Sequence, residues 1–313
     1  MLALAVSGLV VGVANDAVNF LNSALGSKAA PRYVIMTVAS VGIIVGAITS
    51  NGMMEVARSG VFHPEMFTFA EVMLLFLAVM FTNVILLDIF NTLGMPTSTT
   101  VSLVFGLLGA AVGISIFKIA NDALVTLPDG SLATMADMIN TGNAMAIIGG
   151  ILISVVIAFV CGTVVMYITR LIFSFRYQSK LKSYGAVWCG IALTAISYFA
   201  VFKGLKGTQV IPADWMSWME GHIPMMLGGL LVGWSLIMSI LSMLKVNILR
   251  ITVLAGTFSL ALAFAGNDLV NFIGVFVAGV DAYDIVRTTG DTNMLMGGLN
   301  DPVVANLLIL FLS

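Results

Sequence analysis

The sequence predicts an all-α membrane protein: a multi-span helical bundle with inverted-topology repeats and with broken helices or hairpins at the midplane. Of its 313 residues, 60% are hydrophobic and only 9% are charged, and the mean hydropathy is +1.09. Soluble domains carry about 25% charged residues, so lipid must be the main solvent of this chain. Several segments reach the roughly 20 apolar residues that a spanning helix needs, and one polar motif recurs in two of them.

Eight apolar segments follow one another, and each is expected to be helical because a spanning backbone must satisfy its own hydrogen bonds. They are predicted at Met1–Leu25, Tyr33–Gly52, Phe69–Leu93, Thr99–Ile119, Ala144–Ile168, Gly185–Phe202, Ile223–Leu244 and Ile248–Gly279. The first is predicted to be interrupted at Asn15-Asp16 and the last at Asn267-Asp268. The chain opens inside an apolar segment and closes on the short run Val303–Ser313, so we expect it to be truncated at both ends.

The charges between the segments predict how the chain is oriented. The loop 170–182 carries four basic residues and is therefore expected on the cytoplasmic side. Counting spans from it places the acidic loop 121–143 outside, whereas Lys203 and Lys206 would also lie outside, against this rule. With this orientation, the first segment crosses from outside to inside, and the last crosses from inside to outside.

The two interruptions share the motif N-D-x-V-N-F, which spans Asn15–Phe20 and recurs 252 positions later (267 minus 15) at Asn267–Phe272. A motif repeated in opposite orientations is typical of inverted-repeat transporters, which bind their substrate near the midplane between the repeats. We therefore divide the chain into a first repeat at residues 1–120, intervening spans and loops at 121–247, and the start of a second, incomplete repeat at 248–313.

Each copy of the motif places one carboxylate, Asp16 or Asp268, inside an apolar segment. A charge at that depth costs a few kcal/mol on insertion scales, so a bound cation or a proton is expected to compensate it. The neighbouring asparagines offer neutral carbonyl oxygens, which suit a hard cation such as sodium. An alternative is that each aspartate caps a helix start after a glycine kink, and the two roles can coexist.

A second polar feature lies between the third and fourth segments, where Gly94 and Pro96 break the helix and four hydroxyl residues follow at Thr97–Thr100. Proline near a helix start with serine and threonine around it indicates a helix N-terminus. Such a terminus presents unpaired N–H groups and a partial positive charge, which suit phosphate or sulfate. The alternative is an ordinary turn between two spans.

The two features together predict coupled binding of a cation and an anion. Two bare carboxylates would repel phosphate strongly in a low dielectric, whereas a cation between them turns the repulsion into attraction. A protonated phosphate oxygen could also donate a hydrogen bond to an aspartate. Fully ionised sulfate could not, so this contact would discriminate between the two anions.

These motifs resemble those of the PiT family of inorganic phosphate transporters. The resemblance covers nearly the whole chain and is carried by Val11–Lys28, by Phe264–Gly274, by G-M-P-T-S-T-T at Gly94–Thr100, and by Gly52–Gly60, which contains the family's glutamate as Glu55. It implies secondary active import of phosphate with sodium or protons as the coupling ion, and no organic cofactor. It further implies a multi-pass homodimer in a plasma membrane, here a bacterial inner membrane, with no enzyme activity and no nucleic acid partner.

The resemblance also implies which residues bind. Phosphate would be held by Ser98, Thr99, Thr100, Asn15, Asp16, Asn267 and Asp268, and sodium or a proton by Asp16, Asn19, Asp268 and Asn271. Thr97 and Glu55 are secondary candidates, and Glu55 could instead be a solvated charge paired with Arg58 at a segment end. The family's second P-x-S-T-T stretch would fall near positions 349–352 by the same offset, beyond Ser313.

Three other functions fit some of these observations. A sulfate transporter of the same fold would use the same hydroxyl and N–H donors. An intramembrane aspartyl protease could pair Asp16 with Asp268, but a catalytic pair requires neither the asparagines of the motif nor the hydroxyl-rich break. An ion channel would differ from a transporter by a rate that does not saturate and by the lack of stoichiometric coupling.

Overall fold

The computed structural model describes residues 1–49, 59–127, 130–174, 177–205, 212–267 and 269–300. Within these ranges the chain is helical, and its β-type pairs are isolated bridges. Seven helical stretches in the same ranges are long and apolar enough to cross a membrane. The predicted class, an all-α multi-span membrane protein, is therefore confirmed.

The helices are numbered in chain order. The first six are α1 Leu2–Gly26, α2 Arg32–Thr49, α3 Phe69–Thr92, α4 Thr99–Ala120, α5 Met135–Met138 and α6 Thr141–Phe173. The remaining five are α7 Tyr177–Phe199, α8 Ala213–Gly221, α9 Ile223–Met243, α10 Ile248–Asn267 and α11 Leu269–Thr289. Short 3-10 turns lie at Pro64–Met66 and Gly297–Asn300, and a π turn at Ala200–Leu205 extends α7.

The predicted segments match these helices closely at α3 and α4, where caps mark the ends, and less well elsewhere. The predicted interruption at Asn15-Asp16 is wrong, because α1 runs unbroken from Leu2 to Gly26. The basic loop is also shorter than predicted. Ser174 ends α6 with a left-handed φ of +51°, and α7 starts at Tyr177, so Lys180 and Lys182 lie on a helix.

The described helices divide into two compact units, of which the first contains Met1–Asp16, Gly52–Ile153 and Asn267–Asn306. In it α3 packs against α4 and α11 around a continuous apolar core. Three buried phenylalanines, Phe62, Phe67 and Phe76, meet edge to face at one end of this core. The sequence-based division into two repeats and an intervening part concerns internal symmetry and stays a prediction.

A buried lysine fastens that end of the first unit. Lys118 is 2% exposed, in the last turn of α4, and its Nζ donates to Met66 O and to Glu71 Oε2, both at 2.9 Å. The same Glu71 oxygen accepts the Thr68 N–H at 2.8 Å and so caps the start of α3. Because a helix C-terminus favours positive charge, Lys118 is placed where both its charge and its donors are satisfied.

The second unit contains Ala17–Asn51, Ser154–Gly266 and Leu307–Ser313. Its main contact joins α7 to α9, where Cys189, Leu193 and Met238 form a small buried core. Trp234 adds a hydrogen bond from its indole Nε1 to Ser197 Oγ at 3.0 Å. The indole thus satisfies its polar atom while its ring packs on apolar neighbours.

Small residues let α2 approach α10 closely within this second unit. A Cβ at Gly42 would lie 2.6 Å from Phe258 O and 3.0 Å from the Ala261 Cβ. One turn further along α2, a Cβ at Gly46 would lie 2.8 Å from the Ala265 Cβ. This small-xxx-small pattern is the usual way in which membrane helices gain contact area, since lipid gives them no hydrophobic driving force to associate.

We predict that Gly42→Val destabilises the protein by about 1–3 kcal/mol, because overpacking a tight contact forces backbone shifts. The measurement is thermal unfolding of the purified protein in detergent. The matched control is Gly109→Val on α4, where a new Cβ meets no atom within 4 Å. Equal unfolding temperatures for the two variants would contradict the α2–α10 packing.

We also predict that Lys118→Met lowers the free energy of unfolding by about 3 kcal/mol, since breaking a buried ion pair leaves a charge uncompensated. Adding Glu71→Gln should recover most of this loss, because glutamine keeps an acceptor for the Thr68 N–H without the charge. Lys180→Met, at an exposed position of α7, is the control and should change stability by less than about 0.5 kcal/mol. If Lys118→Met alone is as stable as Lys180→Met, Lys118 does not have this stabilising role.

Candidate functional site

The candidate site is the break between α3 and α4, at residues 93–98. The end of α3 is a Schellman arrangement: Gly94 has a φ of +68°, its N–H bonds to Asn91 O at 3.0 Å, and the Met95 N–H bonds to Phe90 O at 2.9 Å. Glycine is favoured here because its φ is left-handed. The predicted break after α3 is therefore confirmed at Gly94.

Ser98 begins α4, as the hydroxyl-rich pattern predicted for a helix N-terminus. Its Oγ accepts the Val101 N–H at 3.3 Å, which is the usual bond of an N-cap serine. The side chains around it differ in access: Ser98 is exposed, Thr97 and Thr100 are partly buried, and Thr99 is 2% exposed. The first turn of α4 thus combines hydroxyl groups with the N–H groups that a helix start leaves unpaired.

Asn15, from the first copy of the motif, holds the break through its side chain. Its Nδ2 donates to Asn91 Oδ1 at 2.7 Å and to Met95 O at 3.3 Å, while its Oδ1 accepts the Thr97 N–H at 2.9 Å. Asn15 is 3% exposed, so these bonds satisfy a polar group that would otherwise be costly to bury. They also explain why α1 continues as a helix, since the side chain bonds to the break rather than to its own backbone.

Asn91 is a site residue to which the sequence analysis gave no role. It is the penultimate residue of α3, and its Nδ2 donates to Val11 O on α1 at 2.9 Å while its Oδ1 accepts from Asn15. The two carboxamides thus join α1 to the end of α3. The available signal was an asparagine inside a largely apolar helix, since polar groups at membrane depth usually face a partner.

Asn271, from the second copy of the motif, reaches the other side of the same break. Its Nδ2 donates to Thr100 Oγ1 at 2.9 Å and to Thr99 Oγ1 at 3.5 Å, and the residue is 1% exposed. A hydroxyl that accepts a hydrogen bond still carries its own donor hydrogen. Asn271 therefore orients hydroxyl oxygens, and its predicted role as a cation ligand stays a prediction.

The last residue of each motif copy packs against a residue that lies three positions before the other copy. In the first unit, a Cβ at Gly12 would collide with the ring of Phe272. In the second unit, Phe20 lies against Phe264 with ring centroids 5.7 Å apart. These pairs exchange under the 252-residue offset, because 264 minus 12 and 272 minus 20 both equal 252. The same offset relates the two pairs in sequence, and the inverted-repeat symmetry stays a prediction.

The remaining predicted site residues are placed as follows. Asp16 is 5% exposed and follows Asn15 on α1. Asn19, one turn further along α1, is exposed, and its role as a cation ligand stays a prediction. Asn267 ends α10, and its side chain, together with Asp268 and Glu55, lies outside what the structure describes. Within the described ranges, no group of three or more histidine, cysteine or acidic side chains could hold a metal ion.

Fold and site together define a class: a multi-span helical membrane protein whose buried polar side chains gather at a break between two apolar helices, as in secondary transporters. The chain belongs to the phosphate transporter family PHO4, whose sequence profile matches residues 12–299. The resemblance drawn from the two N-D-x-V-N-F copies and the P-T-S-T-T break is thereby confirmed at the level of the family.

A curated protein of Thermococcus kodakarensis, named "Putative phosphate permease TK2061", is 25% identical to this chain over 200 residues. The match covers 63% of this chain and 45% of that protein, so it spans less than half of the relative's length. No solved structure gives a significant match to the chain.

We predict that Asn91→Ala destabilises the protein by about 1–3 kcal/mol in the absence of any anion, because it removes the hydrogen bonds that Asn91 makes to Val11 O and to the Asn15 amide. Thermal unfolding in phosphate-free detergent buffer measures this. Asn121→Ala is the matched control, since among the described residues the exposed Asn121 side chain bonds only to Phe117 O, one turn back. If both variants unfold at the same temperature, the carboxamide pair does not hold the break.

Proposed function

We propose that this protein is a secondary active transporter that imports inorganic phosphate across a bacterial plasma membrane, coupled to sodium or protons. Membership in the phosphate transporter family supports the substrate, and so does the printed name of the Thermococcus kodakarensis relative. Transport rather than catalysis is the activity we assign. No organic cofactor or nucleic acid enters the proposal, and two copies of the chain are expected to assemble in the bilayer.

The observation that carries the proposal is the convergence of both motif copies on one helix start. Asn15 holds the backbone of the break at Met95 and Thr97, and Asn271 holds the hydroxyls of Thr99 and Thr100. Such a preorganised set of N–H and O–H donors at the positive end of a helix suits an oxyanion. An ordinary turn between two spans would not need a buried carboxamide from each repeat.

In the proposed mechanism, phosphate binds at the first turn of α4. Ser98 is the most accessible donor, Thr99 and Thr100 add hydroxyls, and Thr97 is a secondary candidate. From the second motif copy, Asn267 and Asp268 would complete the phosphate site. Neutral donors can bind a divalent anion without the desolvation cost of an additional buried charge.

The coupling ion would compensate the carboxylates. Asp16 is buried beside Asn15, where an uncompensated charge would both cost free energy and repel phosphate. Sodium or a proton at Asp16, Asn19, Asp268 and Asn271 would remove the repulsion, and Glu55 is a secondary candidate for this role. Phosphate and the cation would therefore bind strongly only when both are present, and each would bind weakly alone.

We predict that Asp16→Asn and Asp268→Asn each reduce cation-driven phosphate uptake at least about tenfold. Coupling free energies of 1–3 kcal/mol correspond to about 5- to 150-fold changes in affinity. The measurement is uptake of radiolabelled phosphate into proteoliposomes, with a sodium gradient and a proton gradient imposed separately. Uptake that needs only one of the two gradients identifies the coupling ion.

Asp122→Asn is the matched control, because Asp122 is an exposed loop residue with a φ of +52°, which asparagine also adopts readily. It should leave uptake unchanged. Undiminished uptake in the Asp16 and Asp268 variants would contradict the coupling mechanism while leaving the substrate intact. Transport of sulfate with no transport of phosphate under either gradient would overturn the proposed substrate.

A further inference from the structure

A third buried asparagine, Asn83, bonds to the same helix start from the side of α3. It is 6% exposed on a helix of high mean hydropathy, 2.5. Its Oδ1 accepts a hydrogen bond from Ser102 Oγ at 2.6 Å, and Ser102 lies in the first turns of α4. A buried carboxamide with one bond has spare capacity, because asparagine carries two N–H donors and two acceptor lone pairs.

The Nδ2 of Asn83 has no hydrogen-bond partner among the residues that the structure describes. Beside it lies an internal cavity of about 10 Å³, lined by Asn83, Asn271, Gly8 and apolar side chains. This is about the space that one water molecule requires. Two carboxamides thus line a space that is otherwise apolar, which distinguishes it from a packing void.

We propose that this cavity holds one ordered water molecule between Asn83 and Asn271, and that Asn83 is a positioning residue for the hydroxyl-bearing first turn of α4. The chemistry selects water among small ligands. The Asn83 N–H₂ group needs an acceptor, which excludes a cation at that contact, and the cavity is too small for an oxyanion. A buried water commonly makes about three hydrogen bonds to buried polar groups.

The water would close a network around α4. Ser102 bonds to Asn83, the water links Asn83 with Asn271, and Asn271 bonds to Thr100. The network would then link α3, α4 and α11, and it would hold the hydroxyls at the start of α4 in place. The functional consequence rests on the proposed function: if phosphate binds this turn, loosening the network should raise the half-saturation concentration and leave the maximal rate nearly unchanged.

Gly8→Ala tests the water while leaving every polar group in place. Gly8 lines the cavity, and a Cβ there would lie 3.6 Å from Val84 Cγ2, in ordinary van der Waals contact. The new methyl group therefore fits, and we expect it to take up space that the water needs. Gly113→Ala on α4 is the matched control, since a Cβ at Gly113 meets no atom within 4 Å.

We expect Gly8→Ala to raise the phosphate half-saturation concentration about three- to tenfold, in line with the loss of one network bond, and Gly113→Ala to leave it unchanged. Ser102→Ala should act in the same direction, and Ser102→Thr, which keeps the hydroxyl, should restore wild-type uptake. The double variant Gly8→Ala/Ser102→Ala should be less than additive, because both changes act on one network. Additive effects, or a Gly8→Ala variant equal to its control, would overturn the proposal.

Two measurements separate this proposal from the proposed function. A cryo-EM map that resolves water should show density within hydrogen-bond distance of Asn83 Nδ2 in the wild type and none in Gly8→Ala. Thermal unfolding adds a second readout: filling a dry cavity stabilises, whereas displacing a bonded water makes Gly8→Ala less stable than Gly113→Ala. If the wild-type protein shows the water but does not transport phosphate, the proposed function is refuted and the water site stands. If the protein transports phosphate but the cavity is dry, the water site is refuted and the proposed function stands.

Discussion

The backbone of the break at residues 93–98 must satisfy its hydrogen bonds without a helix, and the rest of the site depends on this. Lone N–H and C=O groups are costly when they are shielded from water. The Schellman bonds at Gly94 satisfy the end of α3, and Ser98 satisfies part of the start of α4. The middle of the break relies on Asn15, which bonds to both Met95 O and the Thr97 N–H. The position of α1 is therefore coupled to the shape of the break.

An asparagine is suited to this task in a way that its neighbour is not. A carboxamide donates and accepts in one plane, so Asn15 can bond to Asn91, Met95 and Thr97 at once. A carboxylate would accept only and would add a charge. Successive helix residues point about 100° apart, so Asp16 presents its carboxylate in another direction. In the N-D pair, Asn15 thus makes the hydrogen bonds that hold the break, while the neighbouring Asp16 carries the charge.

The motif acts through different members in its two copies. The first copy uses its first asparagine, Asn15, to bond to the break at Thr97, and the second copy uses its last, Asn271, to bond to Thr100 in the first turn of α4. Close contact makes this reach short enough, because Gly12 leaves room for the Phe272 ring beside it. At the far end of α3 and α4, the Lys118–Glu71 pair fixes the same two helices. The two helices that flank the hydroxyl-bearing turn are therefore held together at both of their ends.

The sequence by itself determined the membrane class, the bounds of α3 and α4, and the hydroxyl-rich helix start, because composition, apolar length and capping residues are local properties. It also identified Asn15 and Asn271 as site residues from the repeated motif, but as ligands of an anion or a cation. Tertiary structure decided that Asn15 bonds to the break and Asn271 to the first turn of α4, and that α1 stays unbroken. It also decided that the partly buried Asn91 bonds to α1, and that Asn83 and Lys118 are buried with partners. These outcomes depend on groups roughly 20 to 170 positions apart meeting in space, and such long-range pairing leaves no local pattern.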